Sequence, residues 1–238
     1  GGAEKIKRSQ KSFSKKEKDL SEDIFNRELE RFVIELAWKS SKIEGNTYTL
    51  LETEALVKEA KEALGRSRKE TIMILNHKDV FEEILKSRGE FTKLSLDGIF
   101  GLHNLMVKNL EIGTGIRKQA VGITGTVYQP LDNEHQIREA MEKFIDVINA
   151  NSEPLEKALI ANVLLPYIQP FADGNKRTAR MLTNAILLAH DYYPLSYRSA
   201  DKDLFKKSLI VFYEQLSLYQ FKSIFISQLI FAFNTYFK

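Results

Sequence analysis

The sequence of 238 residues lacks cysteine entirely. Without thiols the chain has no disulfide bonds and no zinc site built from thiolates. A chain without disulfides fits a reducing compartment, so we expect a cytoplasmic protein. The chain begins with Gly1-Gly2 rather than with methionine. This start is typical of a cleaved tag, and we expect these two residues to lie outside the fold.

Long apolar segments are also missing. The most apolar stretch, residues 224–233, has about half of the ~20 residues that a helix needs to span a bilayer. We expect a buried core helix there and no membrane partner. A strong excess of one charge is absent as well, because 35 basic and 32 acidic residues leave a net charge of +3. This balance argues against nucleic acid as a partner, since nucleic-acid-binding domains need a clearly basic face.

Charge composition divides the chain into four predicted segments. Seven basic residues lie between residues 3 and 18, and we interpret residues 1–18 as a solvated, partly frayed helical tail. A nucleic-acid or membrane-binding arm is the alternative for this tail. Residues 19–65 then form an N-terminal helical segment, 66–192 a core, and 193–238 closing helices that pack on the core.

Helical periodicity dominates from residue 19 onward. Leu29, Phe32, Val33 and Leu36 lie on one face of a helix, for example. Helices are predicted over residues 19–44, 49–65, 70–87, 95–108, 134–149, 154–168, 175–190, 202–218 and 221–236. The only β signal is residues 120–128, where two short apolar runs flank Thr-Gly. The predicted fold class is therefore all-α, a helical bundle with one short β-hairpin.

The segment with the clearest chemistry is the loop and helix start at residues 169–180, which read QPFADGNKRTAR. A helix N-terminus has unpaired N–H groups and a partial positive charge, so it attracts anions. Gly174 allows a phosphate to approach the backbone closely. Arg177 and Arg180 lie on one helix face, and Asp173 is a hard oxygen ligand for Mg²⁺. The alternative is an ordinary loop followed by a solvated basic helix start.

This segment resembles the Fic/Doc family motif H-x-F-x-[DE]-G-N-G-R-x-x-R. The matching positions are Phe171, Asp173, Gly174, Asn175, Arg177 and Arg180. The resemblance implies a Fic fold, with residues 66–192 as its core. It further implies that the protein binds ATP with Mg²⁺ and transfers AMP to a Ser, Thr or Tyr hydroxyl of a target protein. The implied nucleotide-binding residues are Gly174, Asn175, Lys176, Arg177 and Arg180, and Asp173 is the implied catalytic acid and metal ligand.

Two other segments resemble parts of the same family. Residues 40–46, SSKIEGN, resemble the [ST]-x-x-x-E-[GN] inhibitory helix of self-inhibited members. The resemblance implies that Ser40 and Glu44 are inhibitory and that Glu44 forms a salt bridge with Arg180. Residues 102–106, LHNLM, resemble a recurrent Fic helix. The predicted hairpin lies where the family has its flap, which docks the target through Val121, Gly122, Ile123 and Thr124.

Two motif positions depart from the family pattern. Gln169 stands at the position of the catalytic histidine, and an amide orients a hydroxyl or a water but does not act as a base. Either the chain is a natural relative without the base, or the histidine was replaced deliberately. Lys176 replaces a glycine, as in the Doc branch, where the lysine accompanies phosphate transfer. Arg180, in contrast, is a feature of members that transfer AMP.

Three functions therefore remain open. The chain is an AMP transferase with an impaired site, a Doc-like protein phosphotransferase, or a non-catalytic module that binds nucleotide or protein. The aromatic residues of the closing helices form either core packing or the surface of a homodimer. These residues are Phe205, Phe212, Tyr213, Phe221, Phe225, Phe231 and Phe233.

Overall fold

The secondary structure of the computed structural model, which describes residues 12–238, is helical, with no strand among those residues. The helices are α1 (Phe13–Asp19), α2 (Glu22–Ile43), α3 (Leu50–Glu59), α4 (Arg68–Ser87), α5 (Leu96–Met106), α6 (Glu134–Ala150), α7 (Pro154–Ile168), α8 (Asn175–Ala189), α9 (Lys202–Gln215) and α10 (Tyr219–Thr235). A 3-10 turn, Arg88–Thr92, joins α4 to α5. The predicted all-α class is confirmed.

A side-chain cap fixes the start of α3, and a left-handed residue fixes its end. Thr49 and Glu52, three residues apart, form a capping box, with hydrogen bonds of 3.1 Å and 2.8 Å. The helix is shorter than the predicted 49–65, because Ala60 adopts a left-handed conformation with φ 54° and closes it. The chain then turns back, and Arg66 pairs with Glu52 at 3.0 Å. The capping acid thus also anchors the loop that follows the helix.

Helix α8 occupies the centre of the bundle. All of its 15 residues except Lys176 and Ala189 are buried. It packs against α7 most extensively, and also against α5, α4, α2 and the 3-10 turn. Because α8 is enclosed on nearly all sides, its first turn is held in a fixed position. This first turn carries the predicted phosphate-binding residues.

The predicted hairpin at residues 120–128 forms its turn but not its strands. Gly125 adopts the positive φ of a tight turn, at +88°. The flanking residues form no strand ladder and are held by side chains instead. Thr126 donates to Glu214 at 2.6 Å, and the Tyr128 hydroxyl donates to the Tyr167 carbonyl at 2.7 Å. The hairpin prediction was wrong because the apolar residues of this segment do not pair as strands: Ile123 and Tyr128 pack against the core, whereas Val127 is exposed.

Residues 12–18, the described part of the predicted solvated tail, include one buried side chain that contacts the rest of the fold. Residues 1–11 lie outside the described part of the chain. Phe13 is only 1% exposed, and its ring packs edge-on against Phe25 and Phe237, with centroids 5.8 Å and 5.0 Å away. One aromatic residue in a lysine-rich stretch therefore docks α1 onto the rest of the fold.

The closing helices contribute to the core. Most of their aromatic residues are buried, which favours the packing interpretation over a dimer surface; these residues are Phe205, Phe212, Tyr213, Phe221 and Phe225. The apolar stretch at residues 224–233 lies within α10 and packs against the core, as predicted. Within residues 12–238, no helix combines the length and apolarity needed to cross a membrane.

Because Phe13 docks α1 onto the fold, its removal should lower the free energy of unfolding. The Phe13→Ala variant should lose about 3–5 kcal/mol of unfolding free energy, the range for a buried phenylalanine. Ile24→Ala is the matched control, because Ile24 is 48% exposed and should cost about 0.5 kcal/mol or less. Urea unfolding followed by circular dichroism measures both. Equal and small effects would show that the N-terminal segment is solvated after all.

Candidate functional site

The loop that enters α8 is fixed by contacts among its own side chains. Phe171 is fully buried, and its ring stacks on the His103 ring at 3.7 Å and 9°. The Nε2 of His103 donates to the carbonyl of Asp173 at 2.9 Å. Asn175 both donates to the carbonyl and accepts from the N–H of Phe171, each at 2.9 Å. The loop therefore has little freedom to change shape when a ligand binds.

Gly174 is required at the turn into α8 for two reasons. Its φ is +83°, a conformation that side chains disfavour. A Cβ atom there would lie 3.0 Å from Cγ1 of Val107, just beyond the end of α5. Gly174 is buried, yet it still lines a small cavity of about 50 Å³ at the start of the helix. The N-terminal N–H groups of α8 thus keep an open side.

A cavity of about 410 Å³ lies beside this helix start. It shares Glu44, Gln169, Asp173 and Lys176 with the small cavity. The four predicted flap residues line it as well, namely Val121, Gly122, Ile123 and Thr124. The structure therefore brings the predicted inhibitory, motif and flap residues together around one space. Its volume lies in the range usual for small-molecule sites.

Helix α9 supplies a wall of this cavity that sequence reasoning missed. Lys206, Leu209, Ile210 and Tyr213 line it. The Tyr213 hydroxyl is buried and has no hydrogen-bond partner among the described residues. Burial, followed by the negative charge of Glu44, raises the Tyr213 pKa well above its usual range. No sequence motif marks this helix, because its contribution depends only on how it packs.

A larger groove, of about 600 Å³, lies between α4 and α5. Its charged lining residues are Glu83, Glu90 and Asp97, and it contains no lysine or arginine. A phosphate group would meet only negative charge there. The smaller cavity at α8 is therefore the better candidate for an anionic ligand.

Two arginines lie beneath the helix start with unused donors. Arg177 is 3% exposed and Arg180 is fully buried. The Nη1 atom of each is buried and has no partner among the described residues. Arg177 also lies 3.5 Å from the Asp173 carboxylate, and burial lowers its pKa despite that neighbour. Phosphate oxygens are the natural acceptors for such donors, so the residues fit a polyphosphate.

The predicted contact between Glu44 and Arg180 is present. Their Oε1 and Nη2 atoms are 2.8 Å apart, although 136 residues separate them in the sequence. The other Glu44 oxygen lies 3.5 Å from Nζ of Lys176. Burial opposes ionisation of Glu44, but Arg180 and then Lys176 outweigh it and lower the Glu44 pKa to about 2. Glu44 is therefore a carboxylate between two cations at neutral pH.

Ser40 and His77 hold Arg180 from the opposite side. Arg180 donates to Oγ of Ser40 at 2.8 Å and to its carbonyl at 3.0 Å. Nε2 of His77 lies 2.7 Å from the same Oγ, while Nδ1 of His77 donates to the Met73 carbonyl at 2.7 Å. Ser40 therefore donates its hydroxyl proton to a neutral imidazole. Burial lowers the His77 pKa to about 3 and keeps it neutral.

Gln169 closes α7 in a left-handed conformation, with φ 51°. Both ends of its amide are already bonded: Nε2 donates to the Pro166 carbonyl at 2.7 Å, and Oε1 accepts from Asn175 at 3.0 Å. None of the four histidines replaces the missing base, because none lines the cavity. The side chain at position 169 thus serves the local structure.

Of the two carboxylates that line the cavity, Asp173 is the exposed one, whereas Glu44 is held by Arg180 and Lys176. Its side chain is 67% exposed, and it lines the cavity. Within residues 12–238, no group of three acidic or histidine side chains could hold a metal alone. One carboxylate together with phosphate oxygens is nevertheless a usual way for proteins to hold Mg²⁺. The residues therefore fit Mg²⁺ only in company with phosphates.

Comparison with known proteins gives concordant results. Residues 93–187 match the family model for the Fic/DOC family. A protein adenylyltransferase Fic from Nematostella vectensis is 31% identical over 175 residues, covering 69% of this chain and 40% of that protein. The chain thus spans less than half the length of this curated relative.

Two solved structures share the fold. Fic-1 from C. elegans superposes with a TM-score of 0.81 at 22% identity, covering 97% of this chain and 68% of that one. A Fic domain containing signaling protein from Bacteroides thetaiotaomicron gives a TM-score of 0.75, also at 22% identity, covering 96% and 95%. The matched family region includes residues 169–180, the loop that enters α8 and its first turn. Residues 93–187 of this chain therefore form a Fic/DOC family domain.

Proposed function

We propose that the protein binds ATP with Mg²⁺ and that its family reaction is transfer of AMP to a hydroxyl side chain of a target protein. The observation that carries this proposal is the pair of buried arginines, Arg177 and Arg180, beneath a helix N-terminus with unused donors. The adenylyltransferase name of the relative from Nematostella vectensis supports AMP as the transferred group.

In the proposed reaction a Ser, Thr or Tyr hydroxyl oxygen of the target forms a bond to the α-phosphorus. The bond from that phosphorus to the bridging oxygen of pyrophosphate breaks, and pyrophosphate leaves. Backbone N–H groups at the start of α8 and the guanidinium of Arg177 stabilise the charge on the phosphates. Residues 121–124 have no hydrogen bond to other described residues, so their backbone is free to pair with a target segment.

Within residues 12–238 no histidine lines the cavity, so the hydroxyl proton passes to solvent water rather than to an imidazole. Gln169 holds the position from which the family's histidine takes that proton, and an amide does not accept it. Loss of a general base costs about 10²–10⁴ in rate. We therefore propose that the site binds nucleotide but transfers AMP slowly.

When bound, Mg²⁺ would neutralise charge on the phosphates and orient them for attack. Asp173 is its proposed protein ligand, because its carboxylate is exposed to the cavity. Asn175 contributes through its backbone, since its side chain is already bonded within the loop. The Gly174 N–H donates to Oδ1 of Asp173 at 2.6 Å, so Gly174 would contribute its N–H to a phosphate once that carboxylate turns to the metal.

We further propose that Glu44 inhibits the protein. Its carboxylate holds Arg180 and Lys176, two cations that would otherwise be available to phosphates. Ser40 supports the same arrangement by fixing Arg180 from behind. ATP then binds weakly or in a pose that does not lead to transfer.

A second candidate is phosphate transfer of the Doc type, favoured by Lys176. This lysine lines the cavity and places an extra positive charge beside the anion site. A third candidate, a non-catalytic module, is favoured by Gln169, whose amide is fully engaged in local bonds. These candidates differ in which labelled phosphate of ATP is transferred to protein: the α-phosphate in AMP transfer, the γ-phosphate in phosphate transfer, and neither in a non-catalytic module.

Restoring the base should reveal the transferred group. We expect Gln169→His to raise transfer of α-labelled AMP to protein targets about 10²–10⁴-fold, because a general base then accepts the hydroxyl proton. Label transfer from α-³²P-ATP and γ-³²P-ATP, with a lysate as target source, measures both reactions in parallel.

The control is Gln169→His combined with Lys176→Gly, which completes the family motif. Transfer of γ-label by the single variant and of α-label by the double variant would assign phosphate transfer to Lys176. If neither variant moves either label, even with Glu44→Gly added, the enzymatic proposal fails and the binding module remains.

Removing the inhibitory carboxylate should strengthen nucleotide binding. We expect Glu44→Gly to lower the Kd for ATP about tenfold to a hundredfold, since a charge-assisted hydrogen bond of about 1–3 kcal/mol no longer competes. Glu52→Gln is the matched control, because Glu52 also pairs with an arginine but does not line the cavity. Isothermal titration calorimetry gives both constants. An unchanged Kd in Glu44→Gly would contradict self-inhibition.

The low pKa of Glu44 predicts how stability depends on pH. Its folded pKa of about 2 lies below the ordinary glutamate value of 4.5, so its contribution to stability is complete above about pH 4.5 and disappears as the pH falls toward 2. Glu44→Gln should therefore be less stable than the parent at pH 6, and the gap should narrow below pH 4.5. Urea unfolding across this range tests the prediction; a constant gap would exclude it.

A further inference from the structure

Arg117 joins the loop of the candidate site to both ends of the flap segment. It is 3% exposed. Its Nε donates to the Gln169 carbonyl at 2.6 Å and its Nη1 to the Gln119 carbonyl at 2.9 Å. Its Nη2 donates to the carbonyl of Leu131. The backbone N–H of Arg117 adds a fourth bond, to the Pro170 carbonyl at 2.9 Å.

This use of a buried guanidinium is unusual because its partners are carbonyl groups. Within residues 12–238 Arg117 has no ion pair. Burial lowers its pKa, and the charge of Asp132 opposes that effect only partly. The desolvation of a buried charge is costly. Three carbonyls in a fixed fork compensate for it in a way that a lysine's single ammonium group does not reproduce.

The three carbonyls belong to three different parts of the candidate site. Gln119 precedes the flap residues 121–124, and Leu131 follows the flap. Gln169 is the position at which the family has its base. One side chain therefore fixes the distance between the flap and position 169.

The flap has a second, separate attachment. Thr126 donates to Glu214 at 2.6 Å, and the Val127 N–H donates to the same oxygen at 3.3 Å. Gly125 lies close to Ile210: a Cβ atom added at Gly125 would be 3.4 Å from Cδ1 of Ile210. These contacts place the flap tip on α9. The far side of the flap is tied to the end of α7, because the Tyr128 hydroxyl donates to the Tyr167 carbonyl at 2.7 Å. Among the described residues, the hydrogen bonds from the base of the flap to the loop that precedes α8 all come from Arg117.

We propose that Arg117 is a positioning residue that couples the target-docking flap to position 169. This proposal rests on the proposed function, in which the flap presents the target hydroxyl to the nucleotide. Arg117 lines neither of the two cavities at α8. It sets where the attacking hydroxyl lies relative to the nucleotide, and a displacement of about 1 Å costs on the order of 10²-fold in rate.

The test compares Arg117→Lys with its parent in the Gln169→His background. We expect kcat/KM for the target to fall about tenfold to a hundredfold, with the Kd for ATP within about threefold. Hydrogen–deuterium exchange, measured without nucleotide, should become about tenfold faster in residues 119–131 and 169–171 and should stay unchanged in α10.

Arg31→Lys is the matched control, because Arg31 also donates to a backbone carbonyl, that of Thr235 at 2.7 Å, and does not line the cavity. It should leave transfer and exchange at 119–131 unchanged. A parallel loss of ATP affinity and transfer in Arg117→Lys, or faster exchange throughout the chain, would overturn the coupling role.

The two proposals fail in different ways. If the Gln169→His protein transfers no label at all, the proposed function fails, and the exchange measurement alone decides the role of Arg117. If transfer occurs but Arg117→Lys leaves both kcat/KM and local exchange unchanged, the positioning role is wrong and the proposed function stands.

Discussion

The buried guanidinium of Arg180 is the constraint on which the site depends. A fully buried charge is tolerated only if its neighbours compensate for it. Ser40 and Glu44, at the end of α2, supply the carboxylate, hydroxyl and carbonyl that do so. The contact therefore ties α2 to α8. The same charge suits a phosphate group, so a ligand and Glu44 would compete for one cation. Stability without ligand and access for ligand are opposing consequences of this contact.

The rest of the site is built so that little has to move. The Phe171 ring stacks on His103, His103 bonds to the Asp173 carbonyl, and Asn175 bonds to the Phe171 backbone. What remains for a ligand is the first turn of α8, with its unpaired N–H groups, and the arginine tips beneath it. Such pre-arranged donors stabilise developing charge without reorganising. Gln169 leaves this arrangement undisturbed, because both ends of its amide bond to its own surroundings.

Sequence reasoning located the loop but not its support. A motif is visible because its residues are contiguous, and the capping pair Thr49–Glu52 is visible for the same reason. His77 and Arg117 carry no comparable signal. Each acts on a carbonyl or hydroxyl of a distant segment, and any sequence could supply those groups. The role of α9 as a cavity wall was hidden likewise, since its apolar face resembles that of any packed helix.

The sequence by itself determined the helical class, most helix starts, and the loop that enters α8, because caps, periodicity and turn residues act over a few positions. Only the tertiary structure decided that residues 120–128 form a turn without strands, that Phe13 docks α1, and that Glu44 meets Arg180 at 2.8 Å. Family resemblance anticipated the last contact, but spacing and propensity did not. Contacts between residues far apart in the chain arise from how whole helices pack, and local patterns carry no information about that packing.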